Sequence, residues 1–437
     1  ISAVAVTYGV GGFSLFNAAV GANAERIPMI VISGAPAQKQ KESNVLLHHT
    51  IGDLDLQHRI FEKVTAKSVQ IKNSETAPEK IDDAIVSCLQ KKWPVYIEIP
   101  HDIMNEECSQ PKGSLFEKVR NRSNARNLEK AVSHAVRLLE KAKKPLILTG
   151  IESQRLGCVD TLKNLIDHSG FLFASSLLAK SVISEDHPHF VGVYSGALVR
   201  DEIKNVVEES DVILALGVLM TDINLGSLGE HSAVLPFHQM VIANSDRISI
   251  ENTVYEEVFL CHFMEKLMEK MPVLKERRPF QKLSEVIQGE YSAEDKKITN
   301  GRFYERLNRY LEKDQMLIVD TGDTILGASD LILPENTIFI DQAYYLSIGY
   351  ALPATLGASL AKESSRAITI IGDGAFQMTA QELSTIIRYK KNPVIFIINN
   401  DGYTIERVLH EGSFNDIQMW NYAELPEVFG GGWGMKV

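Results

Sequence analysis

Two apolar stretches, Ala367–Ile371 and Val394–Ile398, each run straight into a turn built from residues that bind ions better than they pack. The first turn is Gly372-Asp373-Gly374. The second is Asn399-Asn400-Asp401-Gly402-Tyr403-Thr404-Ile405-Glu406, with 24 residues between Gly374 and Asn399. Short apolar runs closed by turn residues are buried parallel strands. Thr379-Ala380-Gln381-Glu382 has the form of a capping box, which predicts that the intervening helix begins near Thr379. Both turns then open at the carboxyl edge of one sheet, where such sheets bind ligands. Asp373 and the side-chain carbonyl of Asn400 are hard oxygen donors suited to Mg²⁺, leaving positions for phosphate, a backbone carbonyl and water. The glycines allow backbone to approach a phosphate, and a helix start offers N–H groups to an anion. The spacing therefore predicts a Mg²⁺-diphosphate site without a P-loop.

At 437 residues the chain has room for two to four domains, each with its own core. No apolar run approaches the ~20 residues that a membrane helix needs. The net charge of −11, with basic residues scattered, argues against a nucleic-acid surface. Cys88, Cys108, Cys158 and Cys261 lie far apart with no Cys-x-x-Cys, as expected of reduced structural thiols in a cytoplasmic protein. The first residues read as a strand entering a loop, and the last as the entry to another strand. Both ends are therefore expected to be cut inside folded domains.

Three blocks follow from the patterning, 1–111, 124–275 and 299–437. In the first, Thr7-Tyr8-Gly9-Val10-Gly11 is a glycine-rich loop after a strand. Phe13 to Glu25 is a small-residue helix, and Pro28 to Ser33 and Trp93 to Pro100 are strands. In the second, Asn127 is the expected N-cap of a helix reaching Leu139, followed by strands at Pro145–Thr149 and Asp211–Gly217. The third carries strands at Met316–Val319 and at the two stretches above. Polar segments 105–124 and 275–297 read as linkers. Repeated helix-strand alternation predicts an α/β fold of three doubly wound parallel-sheet domains.

The constellation Gly-Asp-Gly…Asn-Asn-Asp-Gly-Tyr-Thr-Ile-Glu resembles the thiamin diphosphate motif of the pyruvate, indolepyruvate and branched-chain 2-oxo acid decarboxylases. Thr7-Tyr-Gly-Val-Gly-Gly-Phe-Ser, Ile32-Ser-Gly-Ala-Pro36, Val191-Gly-Val-Tyr194 and Thr221-Asp-Ile-Asn-Leu-Gly226 extend that resemblance over nearly the whole chain. It implies a pyrimidine-binding domain, a central domain and a diphosphate-binding domain. It also implies thiamin diphosphate with Mg²⁺ as cofactors, and non-oxidative decarboxylation of a 2-oxo acid to an aldehyde and CO₂. Pyruvate, indolepyruvate, phenylpyruvate and branched-chain keto acids are all candidates. In such relatives the site lies between two subunits, so a homodimer or homotetramer is implied. The resemblance places a further essential Glu upstream of Ile1. A carboligating enzyme of the acetolactate synthase type, and a cofactor-binding but silent protein, are the rival readings.

Individual residues take their roles from that resemblance. Asp373, Asn400 and the Gly402 carbonyl would hold the metal. Thr321, Asp323, Leu346, Ile348, Gly372, Gly374, Ala375, Asn400 and Ile405 would line the cofactor; Ile348 would prop its bent form and the Leu346 carbonyl would accept from its aminopyrimidine. Thr7 and Ile325 fall at the substrate pocket, where an aliphatic Ile325 would leave room for a larger side chain. His48 and His49 stand in a segment without helical or strand period. Adjacent side chains cannot share one strand face, so one or both would face a cavity from a loop, form a solvated pair, or place one imidazole in the core against backbone. Glu406, six residues beyond Asn400, reads as an acidic first-turn residue. The resemblance makes Glu406 and the histidine pair the proton-transfer groups, with burial near an anionic substrate keeping Glu406 protonated.

Overall fold

The computed structural model describes residues 1–437 apart from 42, 44, 120, 226–234, 236, 275–278 and 283–294. Gly226 of the 221–226 motif and much of the expected 275–297 linker lie outside the described residues. The chain forms two compact units, Ile1–Ser123 and Asn124–Val437.

The first unit holds strands β1 (Ser2–Val6), β2 (Met29–Ala35), β3 (Lys67–Gln70) and β4 (Val95–Pro100), all parallel, in the order β1-β2-β4-β3. The first crossover is the helix Val10–Ala24, three residues longer at its start than the pattern predicts. Its buried positions are Gly12, Ala19, Gly21 and Ala22, so it packs by closeness of backbone.

In the second unit, β5 (Pro145–Thr149), β6 (Leu172–Ser176), β7 (Phe190–Tyr194) and β8 (Val212–Leu216) are buried along their full length. Continuous apolar runs of this kind belong to parallel sheets covered on both faces. With β9 (Met240–Ala243), β10 (Arg247–Ile250) and β11 (Thr253–Glu256) they form a seven-stranded sheet ordered β11-β10-β9-β8-β5-β6-β7. β10 and β11 run antiparallel at its edge, a departure from the all-parallel expectation. A second sheet, ordered β13-β12-β14-β15, is wholly parallel: β12 is Met316–Val319, β13 Ile338–Ile340, β14 Ala367–Gly372 and β15 Val394–Ile398. The α/β architecture matches the sequence reading. No described helix is long and apolar enough to cross a membrane.

Two helix starts differ from expectation. The cap of the helix Ala125–Leu139 is Asn124, whose side chain accepts from the N–H groups of Arg126 and Asn127. Asn127 instead donates its amide to the Glu256 carbonyl at 3.0 Å. Thr379 does not open a capping box, because a helix already spans Asp373–Thr379. The Thr379 hydroxyl donates to the Gly349 carbonyl at 2.8 Å, and Gln381 precedes the next helix without a side-chain cap.

A buried ion pair ties the two sheets of the second unit together. Lys180 and Glu185 are 2% and 8% exposed. The Lys180 ammonium donates to Glu185 at 2.8 Å and to the Leu331 carbonyl at 2.5 Å; the second Glu185 oxygen accepts the Leu333 N–H at 2.9 Å. Every strong polar atom of the pair is satisfied, so removing one partner leaves a dry, uncompensated charge. Glu185→Ala is expected to lower unfolding free energy by about 3–5 kcal/mol, read as a shift in the urea midpoint. A midpoint within error of the parent would remove this pair from the stability of the unit.

Candidate active site

Gly372 pairs with Ile398 across β14 and β15, so the two turns leave the sheet side by side. Asp373 is fully buried between them. Its Oδ1 accepts the Gly374 N–H at 2.8 Å, and its Oδ2 accepts the N–H groups of Asp401 and Gly402 at 3.1 Å each. One carboxylate thus binds both turns. Burial pushes the Asp373 carboxyl above its ordinary range, and those N–H groups pull it back. A cation held against the remaining lone pairs would offset the burial cost.

The neighbouring geometry requires glycine at two places. Gly402 has φ 105°, and a Cβ there would lie 2.4 Å from the Asn415 carbonyl oxygen. A Cβ on Gly374 would lie 2.6 Å from the Tyr403 ring. Gly372 differs, since a Cβ on it would meet nothing within 4 Å. Asn400 donates its amide to Asp323 at 3.1 Å, which leaves its side-chain oxygen available as a ligand. Arg407 fastens the second turn by donating to the Asp401 carbonyl at 3.2 Å and to Asp416 at 2.6 Å, while also bonding Glu411 at 2.7 Å.

Asp320, at the end of β12, is a residue that sequence reasoning passed over. It is fully buried and accepts the N–H groups of Thr321, Gly349 and Ala351 at 2.9, 3.0 and 2.7 Å. It therefore clamps the start of the helix Ala351–Ala361 and the loop before it. In that loop Leu346 has φ 55° and Gly349 φ 86°, and Gln342 holds the turn by accepting twice: its carbonyl receives the Leu346 N–H and its Oε1 the Ser347 N–H. A leucine in the left-handed region is costly and persists only where its surroundings fix it. An acidic side chain three residues before Asp323, ahead of a Gly-rich turn, was the available signal.

The donor set fits the group that the sequence implies. Asp373, the Asn400 oxygen and the Gly402 carbonyl are hard oxygens on adjacent turns, as a Mg²⁺ bound to a diphosphate needs. Gly372 offers open backbone, and Thr321 has a buried hydroxyl oxygen with no partner among the described residues. Ala375 and Ile405 belong to the first turns of the two helices that follow, Asp373–Thr379 and Thr404–Leu409. Ile348 is half-buried beside the core under β14. Ile325 is otherwise placed. It is 4% exposed and packs with Leu307, Leu317 and Ala328, so the expectation that it widens a substrate cavity finds no support in its surroundings. Glu406 is exposed on the first turn of Thr404–Leu409, so this chain does not itself provide the burial expected around it.

The first unit carries the histidine pair. His48 and His49 sit in a turn and are exposed, and His49 has φ 62°. His49 lines a cavity of about 410 Å³ together with Tyr8, Gly9, Gln57 and Glu98. Gly9 has no room for a side chain, because an ideal Cβ would fall 1.7 Å from the His49 carbonyl oxygen. The Gly9 N–H donates to Gln57 at 2.7 Å; Gln57 donates to Ser33 and Tyr96, and Tyr96 to the buried Glu98 at 2.8 Å. Gln57 thus anchors the glycine-rich loop to β2 and β4. Thr7 is exposed at the end of β1, with its carbonyl accepting from Gly12.

The sequence matches two family descriptions, "Thiamine pyrophosphate enzyme, central domain" over residues 132–271 and "Thiamine pyrophosphate enzyme, C-terminal TPP binding domain" over 320–437. It is similar to pyruvate decarboxylase 1 of Oryza sativa subsp. japonica, 34% identical over 100% of this chain and 74% of that protein. Pyruvate decarboxylase 2 of the same plant is 33% identical over 99% of this chain and 72% of its own length. Pyruvate decarboxylase 4 of Arabidopsis thaliana is 32% identical over 99% and 73%.

The clamp at Asp320 has a pH signature. Burial pushes its carboxyl from 3.8 up to about 6, against the pull of its three N–H donors. The folded state then holds this proton more tightly than the unfolded chain. Its contribution is full below about pH 4 and is lost as pH rises through about 6, a change of about 3 kcal/mol. Asp320→Asn removes the titration and turns an amide NH₂ toward one backbone donor. The stability difference between parent and Asp320→Asn should therefore vary between pH 4 and 7 in urea unfolding, while a constant difference would reject the assignment.

Proposed function

The chain belongs to the thiamin diphosphate-dependent 2-oxo acid decarboxylases, and from that premise we propose that it releases CO₂ and an aldehyde from a small 2-oxo acid with Mg²⁺ anchoring the cofactor. The observation that carries this reading is the double grip of Asp373 on the turns after β14 and β15. Residues 1–111, 124–275 and 299–437 would serve as pyrimidine-binding, central and diphosphate-binding domains.

When bound, the cofactor's thiazolium supplies the nucleophile and electron sink that a 2-oxo acid lacks. The protein's part is placement and proton handling. Asp373, the Asn400 oxygen and the Gly402 carbonyl would hold a Mg²⁺ that neutralises the diphosphate. The Thr321 hydroxyl and the open backbone at Gly372 would receive polar atoms of the cofactor. Ile348, steadied through Asp320, Gly349 and Thr379, would support the cofactor, and the Leu346 carbonyl would be available to accept from its amine. Rigid support of this kind makes the reacting geometry local. Glu406 and the His48/His49 pair carry the protons that must leave and return as carboxylate departs and aldehyde forms. Two or four copies of the chain would complete the site, with the histidine pair from one subunit facing Glu406 of another, a contact that would also bury Glu406. A cytoplasmic setting suits the four free cysteines, of which Cys158 and Cys261 are within hydrogen-bond reach of each other.

Calorimetry and CO₂ release test the two halves separately. Asp373→Ala should abolish metal-dependent uptake of thiamin diphosphate. Glu406→Gln should keep uptake within a few-fold of the parent while kcat falls by about 10²–10⁴, the usual worth of a general acid-base group. Full cofactor uptake by Asp373→Ala, or unchanged kcat in Glu406→Gln, would remove that residue from the proposal.

A further inference from the structure

Tyr8 stands against both histidines. Its hydroxyl lies 3.1 Å from His48 Nε2, and its ring centroid lies 5.6 Å from that of His48 and 5.7 Å from that of His49. The two imidazoles meet edge to face at 4.7 Å. The backbone beneath them is fixed as well. His49 is held in the left-handed region with its carbonyl over Gly9, and the Gly9 N–H is bound by Gln57. The three rings therefore form one cluster, Tyr8 from the loop after β1 and the two histidines from the turn packed against it.

The contacts are unequal. Tyr8 bonds His48 through Nε2, whereas it meets His49 by ring packing, and only His49 borders the cavity of about 410 Å³. A neutral imidazole has one N–H and one acceptor nitrogen, and the bond made by one nitrogen decides which carries the proton. A phenol O–H is the stronger donor and an imidazole lone pair the stronger acceptor, so Tyr8 donates and Nε2 accepts. The proton of neutral His48 then resides on Nδ1.

We infer that Tyr8 is a positioning residue that holds His48 in the Nδ1–H form. This divides the labour of the pair: His48 is held with a fixed Nδ1–H beside His49, and His49, bordering the cavity, exchanges protons. The inference rests on the role given above to the histidine pair and deepens it. It identifies a residue, a nitrogen and a tautomer, none of which follows from two adjacent histidines in a sequence.

The test is Tyr8→Phe in the full chain, which keeps the ring and removes the hydroxyl. Long-range ¹H–¹⁵N spectra of the imidazoles, taken above the pH at which histidines titrate, report the tautomer directly. His48 should be protonated at Nδ1 in the parent and move toward Nε2–H in Tyr8→Phe, with the His49 signals much less affected. kcat/KM should fall about tenfold, the scale of one oriented hydrogen bond, while the thermal midpoint and thiamin diphosphate affinity stay near the parent's. A His48 tautomer that is the same in parent and variant overturns the inference. A tautomer that moves with kcat/KM unchanged supports the Tyr8 lock and counts instead against a role for His48 in the reaction. Tyr8→Leu, which also removes the ring, checks that the hydroxyl is responsible: it should reproduce the tautomer change, and failure to do so overturns the inference.

Discussion

A carboxylate buried between two loops is unfavourable unless many groups converge on it, and that constraint organises the candidate site. Asp373 is sealed from solvent and bonds three backbone N–H groups from both turns. Two of the donors lie where the chain bends sharply, at Asp401 with φ 70° and at Gly402 with φ 105°, and the third, Gly374, opens the helix Asp373–Thr379. The carboxylate therefore sets the spacing of the loops as well as the charge between them. A dication at the same place satisfies the electrostatic demand that the N–H groups meet only in part.

Asp320 repeats the device one strand away. It is another buried carboxylate at a carboxyl strand end, and it too accepts backbone N–H groups from a loop distant in sequence. Asp373 arranges the turns that would face the diphosphate, whereas Asp320 arranges the loop carrying Leu346 and Ile348. Neither contact depends on side-chain flexibility, because donors and acceptors lie on backbone or on short side chains. Placement of this rigidity is what a cofactor enzyme asks of its protein: the chemistry is the cofactor's, and the site must hold it still.

The first unit uses a different arrangement. Its loop is held by an uncharged chain of hydrogen bonds from Gly9 through Gln57 to Tyr96, ending at Glu98. That chain keeps the histidine turn close against a glycine with no space for a side chain. The middle sheet contributes no candidate catalytic group. The Lys180–Glu185 pair joins its fully buried strands to the sheet that bears Asp373.

The sequence alone determined the α/β class, the strands that flank the candidate site and the two turns that meet at Asp373, because apolar runs of strand length and turn residues are local properties of the chain, whereas strands such as β6, β7 and β13 carried no signal that was read. β12 and β15 have the predicted bounds, and β14 extends one residue further, to Gly372. Helix starts were less legible: the cap expected at Asn127 falls at Asn124, and Asn127 bonds the Glu256 carbonyl of a segment distant in sequence. Tertiary structure likewise diverted the Thr379 hydroxyl to Gly349, turned Ile325 into the core and left Glu406 exposed. It also made Asp320 a clamp and brought Tyr8 to His48, contacts that join residues 29 and 40 positions apart. Pairings of that kind depend on where strands end in space, and no local pattern records them.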